Sequence, residues 1–292
     1  MKQKRRTMLY IPGNNPAMLI HGGTYGADSL LLDLEDSVAL EQKDSARILV
    51  KNVLKNINFY DAEVCVRINH LDTPFGMEDL KEIIPLKPDA IRYPKTETIE
   101  DLKRLVTVME EIEDQHEISH DEIKIHIMIE TALGVQNVFE IAKLCHRLDA
   151  ITIGGQDLTA DMNIKSTKDG SGIDLARKMI VMAAKANKID AIDTVFVDID
   201  DEEGLRKETE KSKNLGFTGK AVINPRQIDI VHEVYTPTEQ EIRKAYKIYK
   251  EFKKKRTEGI GVFAVDGKMV DAPVVARAKY TLELAHINLQ EI

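Results

Sequence analysis

Nowhere in this 292-residue chain is there a run approaching the ~18 uncharged apolar residues that a membrane span requires. A secretory leader is not legible either. The opening Met1-Lys2-Gln3-Lys4-Arg5-Arg6 is basic, but the apolar stretch behind it is short and runs into Pro12-Gly13. A cytoplasmic location is the expectation by default. Cysteine is scarce: Cys65 stands in an apolar strand-like run and Cys145 in a helical one. Both are therefore expected as buried free thiols, not as parts of a disulfide or metal framework. Positive charge is not in excess. Lys and Arg total 41 against 49 Asp and Glu, a net charge of −8, which argues against a nucleic-acid surface. The one basic run, Lys253-Lys254-Lys255-Arg256, reads as a solvated helix face. The eight histidines show no HExxH spacing, so a zinc site is disfavoured. His116 and His120 fall in a polar connection and read as surface residues.

What the chain does have is alternation. Strand-like segments recur at Thr7–Ile11, Leu30–Leu34, Val64–Asn69, Ala90–Lys95, Ile125–Glu130, Ala150–Ile153, Thr194–Asp198 and Lys220–Asn224, with helical patterns between them. In Ile99–Glu113 the apolar residues Ile99, Leu102, Leu105, Val106, Met109 and Ile112 follow helical spacing. Gly134–Leu148, Asp174–Lys188 and Glu202–Leu215 read similarly, the last ended by Gly216. Asn15-Pro16 offers an N-cap and a first-turn proline. The expected fold is α/β, a (β/α)8 TIM barrel over residues 1–235. An open doubly wound sheet is the alternative that alternation leaves standing. Residues 236–292 break the pattern, with a charged helix over Thr238–Lys255, a hairpin over Gly259–Met269 turning at Asp266-Gly267, and a last helix from near Pro273. This extension is expected to act as a lid and oligomer contact.

TIM barrels carry their chemistry at the C-terminal ends of the strands. Here those ends hold Glu35-Asp36, Arg67, Lys95, Glu130, Gly154-Gly155 and, shortly after, Asp157. Period-two alternation puts Ile125, Ile127 and Ile129 on one face and His126, Met128 and Glu130 on the other, so Glu130 and likewise Arg67 can point inward. Carboxylates converging on one mouth suit a hard divalent cation, magnesium by default and manganese as the alternative. Any one of these acids could instead cap the helix that follows it, and Arg67 could be a salt-bridge partner as well as a clamp for a substrate carboxylate.

Several segments carry a resemblance. They are Arg5-Arg6-Thr7-Met8-Leu9-Tyr10-Ile11-Pro12-Gly13-Asn14-Asn15-Pro16, Leu32-Asp33-Leu34-Glu35-Asp36-Ser37-Val38, Val66-Arg67-Ile68-Asn69 and Thr73-Pro74-Phe75-Gly76. Tyr93-Pro94-Lys95-Thr96, Ile129-Glu130-Thr131-Ala132-Leu133-Gly134-Val135, Gly216-Phe217-Thr218-Gly219-Lys220, Ile223-Asn224-Pro225-Arg226-Gln227-Ile228 and Gly267-Lys268-Met269-Val270-Asp271-Ala272-Pro273 continue it. Together they resemble the citrate lyase beta subunits, within the wider group of HpcH/HpaI-type aldolases and malyl-, citramalyl- and citryl-thioester lyases. That wider group often has His where Asn224 stands, and the segment Asp157–Met162 fits the family except that Asn163 replaces a usual glycine.

The resemblance implies a carbon–carbon lyase that performs a magnesium-dependent retro-Claisen cleavage of a citryl thioester to oxaloacetate and an acetyl thioester. It implies Glu130 and Asp157 as metal ligands, Glu35 and Asp36 as holders of the ion's waters, and Arg67 as the substrate's carboxylate clamp. Glu130, Gly154 and Gly155 complete the substrate-binding set. Asp271 matches an acid/base that a neighbouring subunit supplies, in a homotrimer. The implied partners are an acyl carrier protein (the gamma subunit) or coenzyme A, and an alpha transferase subunit. The alternatives are a malyl- or citramalyl-CoA-type lyase and a non-catalytic carrier-binding subunit. The helix start after Asn14-Asn15 serves either as a plain N-cap or as a cradle for a carrier phosphate.

Overall fold

The computed structural model describes residues 5–167, 169–257, 259–290 and 292. In chain order the elements are β1 (Thr7–Pro12), α1 (Pro16–His21), β2 (Ser29–Asp33), α2 (Lys43–Asn56), β3 (Glu63–Arg67), α3 (Gly76–Ile83), β4 (Ala90–Tyr93) and α4 (Ile99–Gln115). Then come β5 (Lys124–Ile129), α5 (Ala132–Ile141), β6 (Leu148–Ile153), α6 (Gly155–Asp161), α7 (Asp174–Ala186), β7 (Asp190–Asp193), α8 (Glu202–Leu215), β8 (Gly219–Val222) and α9 (Gln227–Tyr235). The chain ends with α10 (Glu239–Thr257), β9 (Phe263–Val265), β10 (Lys268–Val270) and α11 (Ala272–Leu284). It divides into two compact units, Met1–His232 and Glu233–Ile292.

In the first unit, strands β1 to β8 form a closed barrel in sequence order, every pairing parallel. Closure is the β1–β8 pairing, Thr7 with Lys220 and Leu9 with Val222. The closed barrel, not the open sheet, is therefore the outcome. Helix starts follow local chemistry. Thr98 and Asp101 form a capping box at α4, and the Asn15 side chain accepts from the Met18 amide at α1. Inside the barrel Met8, Leu31, Cys65 and Ala90 pack as one apolar layer with Tyr10 against it.

Below that layer the barrel is polar, and Arg5 joins four chain segments there. Its Nε and Nη2 donate to Glu63 at 2.6–3.0 Å, its Nη1 to Asp190 at 2.8 Å and its Nη2 to Asp149 at 2.5 Å. These salt bridges explain one departure from expectation. The seventh strand lies over Asp190–Asp193, not Thr194–Asp198, because its aspartates are neutralised in the interior: Asp190 by Arg5, and Asp193 by Arg177 Nε at 3.0 Å. The apolar Val195-Phe196-Val197 follows the strand, with Phe196 buried and Val197 exposed. A second departure is the helix expected over Gly134–Leu148. It stops at Ile141, because fully buried Arg147 is held by Glu113 and by the Ile123 carbonyl and fixes the approach to β6 as a turn. Cys145, expected buried and helical, is half-buried in that turn, whereas Cys65 is buried.

The second unit packs α10, the hairpin and α11 around Ala245, Ile248, Val265, Val270, Val275, Ala278 and Leu282. The hairpin turn uses Asp266 at φ 50° and Gly267 at φ 73°, the left-handed pair that a two-residue antiparallel connection needs. Lys253, Lys254 and Arg256 are exposed near the end of α10. Among the described residues no helix is long and apolar enough to cross a membrane.

Replacing Arg5 with methionine keeps its bulk but leaves Glu63 and Asp190 buried without that guanidinium. The expected loss is about 3–5 kcal/mol of unfolding free energy, read from urea denaturation at pH 7. A loss under about 1 kcal/mol, the scale of an exposed pair, would show that Arg5 is not what closes this end of the barrel.

Candidate active site

The ends of β2 to β6 bring together the acids and cations that the sequence placed there. Glu35 is nearly buried, with Oε1 accepting from Lys95 Nζ at 3.0 Å and Oε2 lying 2.8 Å from Arg67 Nη1. Asp36 is half-exposed beside the same two cations, 3.8 Å from Arg67 Nη1 and 3.9 Å from Lys95 Nζ. Burial, with Asp36 adding to it, pushes the Glu35 carboxyl above its ordinary range against the opposing pull of Arg67 and Lys95.

Glu130 sits just past β5 at 1 % exposure. Its Oε1 accepts from the Lys95 amide at 2.6 Å, a bond made available because Lys95 takes a left-handed backbone at φ 46°. Its Oε2 is buried with no hydrogen-bond partner among the described residues. Burial first, then the negative charges of Glu35 and Asp157, push the carboxyl up to about 7, although the Lys95 amide and Arg67 oppose them. Gly154 leaves the room this carboxylate occupies, since a Cβ there would overlap Glu130 Oε2 and Cβ. Asp157 is half-buried in the first turn of α6, and the Gly155 amide donates to Thr194 Oγ1 at 3.1 Å. A cavity of 420 Å³ opens here, lined by Arg67, Gly154, Gly155 and Asp157 among others.

Two residues that the strand-end reading passed over organise the rest. Asp33, fully buried at the end of β2, accepts from Arg67 Nε and Nη2, both at 2.7 Å, and from the amides of Glu35 and Ser37. Burial would raise the Asp33 carboxyl, but the Arg67 guanidinium outweighs it and holds it below its usual value. Arg67 stands in the cavity wall over the Tyr10 ring at 5.2 Å, with its bidentate edge given to Asp33. Its Nη1 is the edge turned toward Glu35. The five-residue buried run Ser29–Asp33 carried a hint of this, because its alternation sends Asp33 to the same face as Leu31, which packs inside the barrel. Lys43, from α2, is buried and donates to the carbonyls of Leu34 and Glu35 at 2.8 and 2.7 Å, which anchors the loop carrying Glu35. No local signal in a charged helix start points to that role.

Asp33, Glu35, Asp36, Glu130 and Asp157 outnumber the cations Lys43, Arg67 and Lys95. A buried carboxylate oxygen without a partner and an excess of acid together fit a hard divalent cation bound through oxygen. The helix-capping alternative does not describe Glu130, whose Oε1 takes the Lys95 amide and not an amide at the start of α5, where Thr131 is the cap. A different donor set, Glu63, Cys65 and His126, lies in the barrel interior with its atoms within 4.8 Å of one another. It is a poor cation site. Arg5 already saturates Glu63, Ser29 donates to it at 2.5 Å, and the positive charges of Arg5 and Arg92 acting on His126 oppose a further cation.

Other expected positions resolve plainly. Asn163 takes φ 53°, the left-handed conformation that explains a glycine elsewhere and that asparagine tolerates. Asn15 caps α1, its side chain accepting from the Met18 amide. His116 is exposed, and His120 pairs with Asp114 at 2.9 Å. In the second unit Asp271 is the N-cap of α11, its Oδ1 accepting from the Val274 amide at 3.1 Å.

The Glu130 carboxyl has a consequence for stability. Its folded value of about 7 lies above the ordinary 4.5, so the stability it lends is complete below pH 4.5 and is lost as pH rises through 7. Without metal, Glu130→Gln should therefore match wild type near pH 4.5 and exceed it by about 3 kcal/mol at pH 8, in urea denaturation at each pH. A variant no more stable at pH 8 would mean the carboxyl is not held against its charge.

Comparison with known proteins agrees with this geometry. The sequence matches the HpcH/HpaI aldolase/citrate lyase family over residues 6–225. It is 43% identical over 284 residues to the citrate lyase subunit beta of Leuconostoc mesenteroides subsp. cremoris, covering 97% of this chain and 94% of that one. It is 32% identical over 304 residues to the mitochondrial citramalyl-CoA lyase of Rattus norvegicus, covering 96% and 86% respectively. The crystal structure of protein CitE from Mycobacterium tuberculosis in complex with magnesium, acetoacetate and coenzyme A superposes with a TM-score of 0.78. That match is at 28% identity, over 98% of this chain and 100% of that one.

Proposed function

This chain belongs to the HpcH/HpaI aldolase/citrate lyase family, and we propose that it cleaves a citryl thioester, borne on an acyl carrier protein or on coenzyme A, to oxaloacetate and the acetyl thioester. The observation that carries this reading is Glu130, a buried carboxylate with one oxygen unpartnered among further acids at the C-terminal end of a closed barrel. Glu130 and Asp157 would hold magnesium, with Glu35 and Asp36 behind them, and manganese is the alternative ion for the same oxygen donors. The magnesium named with the Mycobacterium tuberculosis structure supports the ion, and the Leuconostoc relative supports the substrate class. When bound, the ion supplies Lewis-acid stabilisation of the charge that develops on the substrate's hydroxyl oxygen.

The chain's own groups do the rest. A strand-end carboxylate takes the hydroxyl proton, the oxygen's electrons form the ketone, and the carbon–carbon bond pair leaves onto the thioester's α-carbon. Asp271 of a neighbouring copy returns a proton to that carbon, which gives the acetyl group. Arg67, fixed by Asp33 and paired through Nη1 with Glu35, would bind the substrate's carboxylate at the cavity wall. Gly154 and Gly155 line the cavity that would take the substrate. In this scheme residues 1–235 are the catalytic barrel and 236–292 the lid and oligomer contact of a cytoplasmic homotrimer. That trimer works with an alpha transferase subunit and a gamma acyl carrier subunit.

Purified protein is expected to release oxaloacetate from citryl-CoA only with magnesium or manganese present. Glu130→Gln should lower the rate at least about 10²–10³-fold, the scale of losing a group that stabilises developing charge. A Glu130→Gln protein as active as wild type, with metal content unchanged, would favour a carrier-binding scaffold instead. The 32% identity to a citramalyl-CoA lyase keeps one second reading in play. Release of pyruvate or glyoxylate with no oxaloacetate would establish it.

The shared site has its own test. Glu130→Gln and Asp271→Asn proteins, each inactive, should regain about a quarter of wild-type activity when unfolded and refolded together in equal amounts. That is the share of sites pairing an intact Glu130 with an intact neighbouring Asp271. No recovery would place Asp271 outside its neighbour's site.

A further inference from the structure

The cavity has a deep end inside the barrel. Tyr10 of β1, Met128 of β5, Thr152 of β6 and Ala221 of β8 line it. Met128 and Thr152 are register partners, each two residues before Glu130 and Gly154, and so about 7 Å further into the barrel. A thioester whose carrier stays outside enters from the mouth. The fragment released as the oxo acid therefore points inward past Glu130, and this floor meets its far end.

Thr152 is 1 % exposed, and its Oγ1 is buried with no hydrogen-bond partner among the described residues. Valine has the same shape and the same strand preference without an orphaned hydroxyl. Nor do the floor's other groups answer it, since the Tyr10 hydroxyl is turned to Met128 Sδ at 3.9 Å. Arg67 brings positive charge to the adjoining wall. A buried hydroxyl that lines the same cavity as Arg67, on a floor otherwise formed by Tyr10, Met128 and Ala221, suits a carboxylate and is wasted on a methyl group or a hydrogen atom.

We infer that Thr152 determines specificity: its hydroxyl donates to the distal carboxylate of a dicarboxylic oxo acid, selecting citryl thioesters over citramalyl and malyl ones. The inference rests on the substrate reading above and assigns the residue that enforces it. The three candidate substrates differ only at this end, which is a carboxymethyl group, a methyl group or a hydrogen atom, so discrimination must come from what the floor offers.

The test measures oxaloacetate and pyruvate binding to the full chain by calorimetry with magnesium present, for wild type, Thr152→Val and Thr152→Ser. Wild type should prefer oxaloacetate. Thr152→Val should weaken oxaloacetate about 10- to 100-fold, as expected for losing a hydrogen bond to a charged group, and leave pyruvate within about twofold. Thr152→Ser, which restores the hydroxyl, should stay within about threefold of wild type for both. Unchanged pyruvate binding shows that the variant is folded and holds metal. A Thr152→Val protein that keeps the wild-type preference, or loses both ligands equally, overturns this inference alone. Wild-type protein that does not prefer oxaloacetate overturns the substrate reading and the inference together.

Discussion

A carboxylate kept out of water against other carboxylates is the constraint around which this molecule is arranged. Glu130 is at 1 % exposure, and its ionised form is opposed by burial and by Glu35 and Asp157. Each neighbouring feature limits or preserves that tension. The left-handed turn at Lys95 gives one oxygen an amide, the missing side chain at Gly154 gives the other its space, and Lys95 Nζ with Arg67 restrains Glu35. None of them cancels it. A site that neutralised Glu130 completely would have nothing left with which to hold a cation.

The two ends of the barrel make the point by contrast. At the interior end Arg5 meets Glu63, Asp149 and Asp190, Ser29 adds a donor, and the acids are matched by short, directed bonds. Such a cluster is structural, since its members are engaged with one another. At the C-terminal end the same residue types are arranged with acid left over. Arg67 shows the difference within one side chain: its bidentate edge is used by Asp33 for rigidity, and its Nη1 meets Glu35 beside the cavity that Arg67 lines. Between the two ends, the apolar layer of Met8, Leu31, Cys65 and Ala90 separates the structural charge cluster from the chemical one.

Much of this was readable in one dimension, and the failures have causes. Most of the strands, the inward face of Glu130 and the hairpin at Asp266-Gly267 follow from local periodicity and turn chemistry, which act over a few residues. The seventh strand did not, because Asp190 and Asp193 are tolerable when buried only through arginines supplied by other segments. The end of α5 was missed for the same reason, with Arg147 buried by Glu113 thirty-four positions away. Local polarity misleads wherever a long-range ion pair makes burial affordable.

By itself the sequence determined the alternation of strands and helices, the loading of strand ends with acids, and, through its motifs, the family. Only the tertiary structure decided that the sheet closes, because closure is the pairing of Thr7–Leu9 with Lys220–Val222 across the whole chain. It also decided which acids are restrained and which are not. Asp33 became the support of Arg67, Lys43 the anchor of the Glu35 loop, and Thr152 a donor with no partner, although none of the three stands out in its local run. The physical reason is that residue type and spacing fix which face a group presents, whereas its partners, its burial and therefore its charge depend on segments brought beside it by the fold.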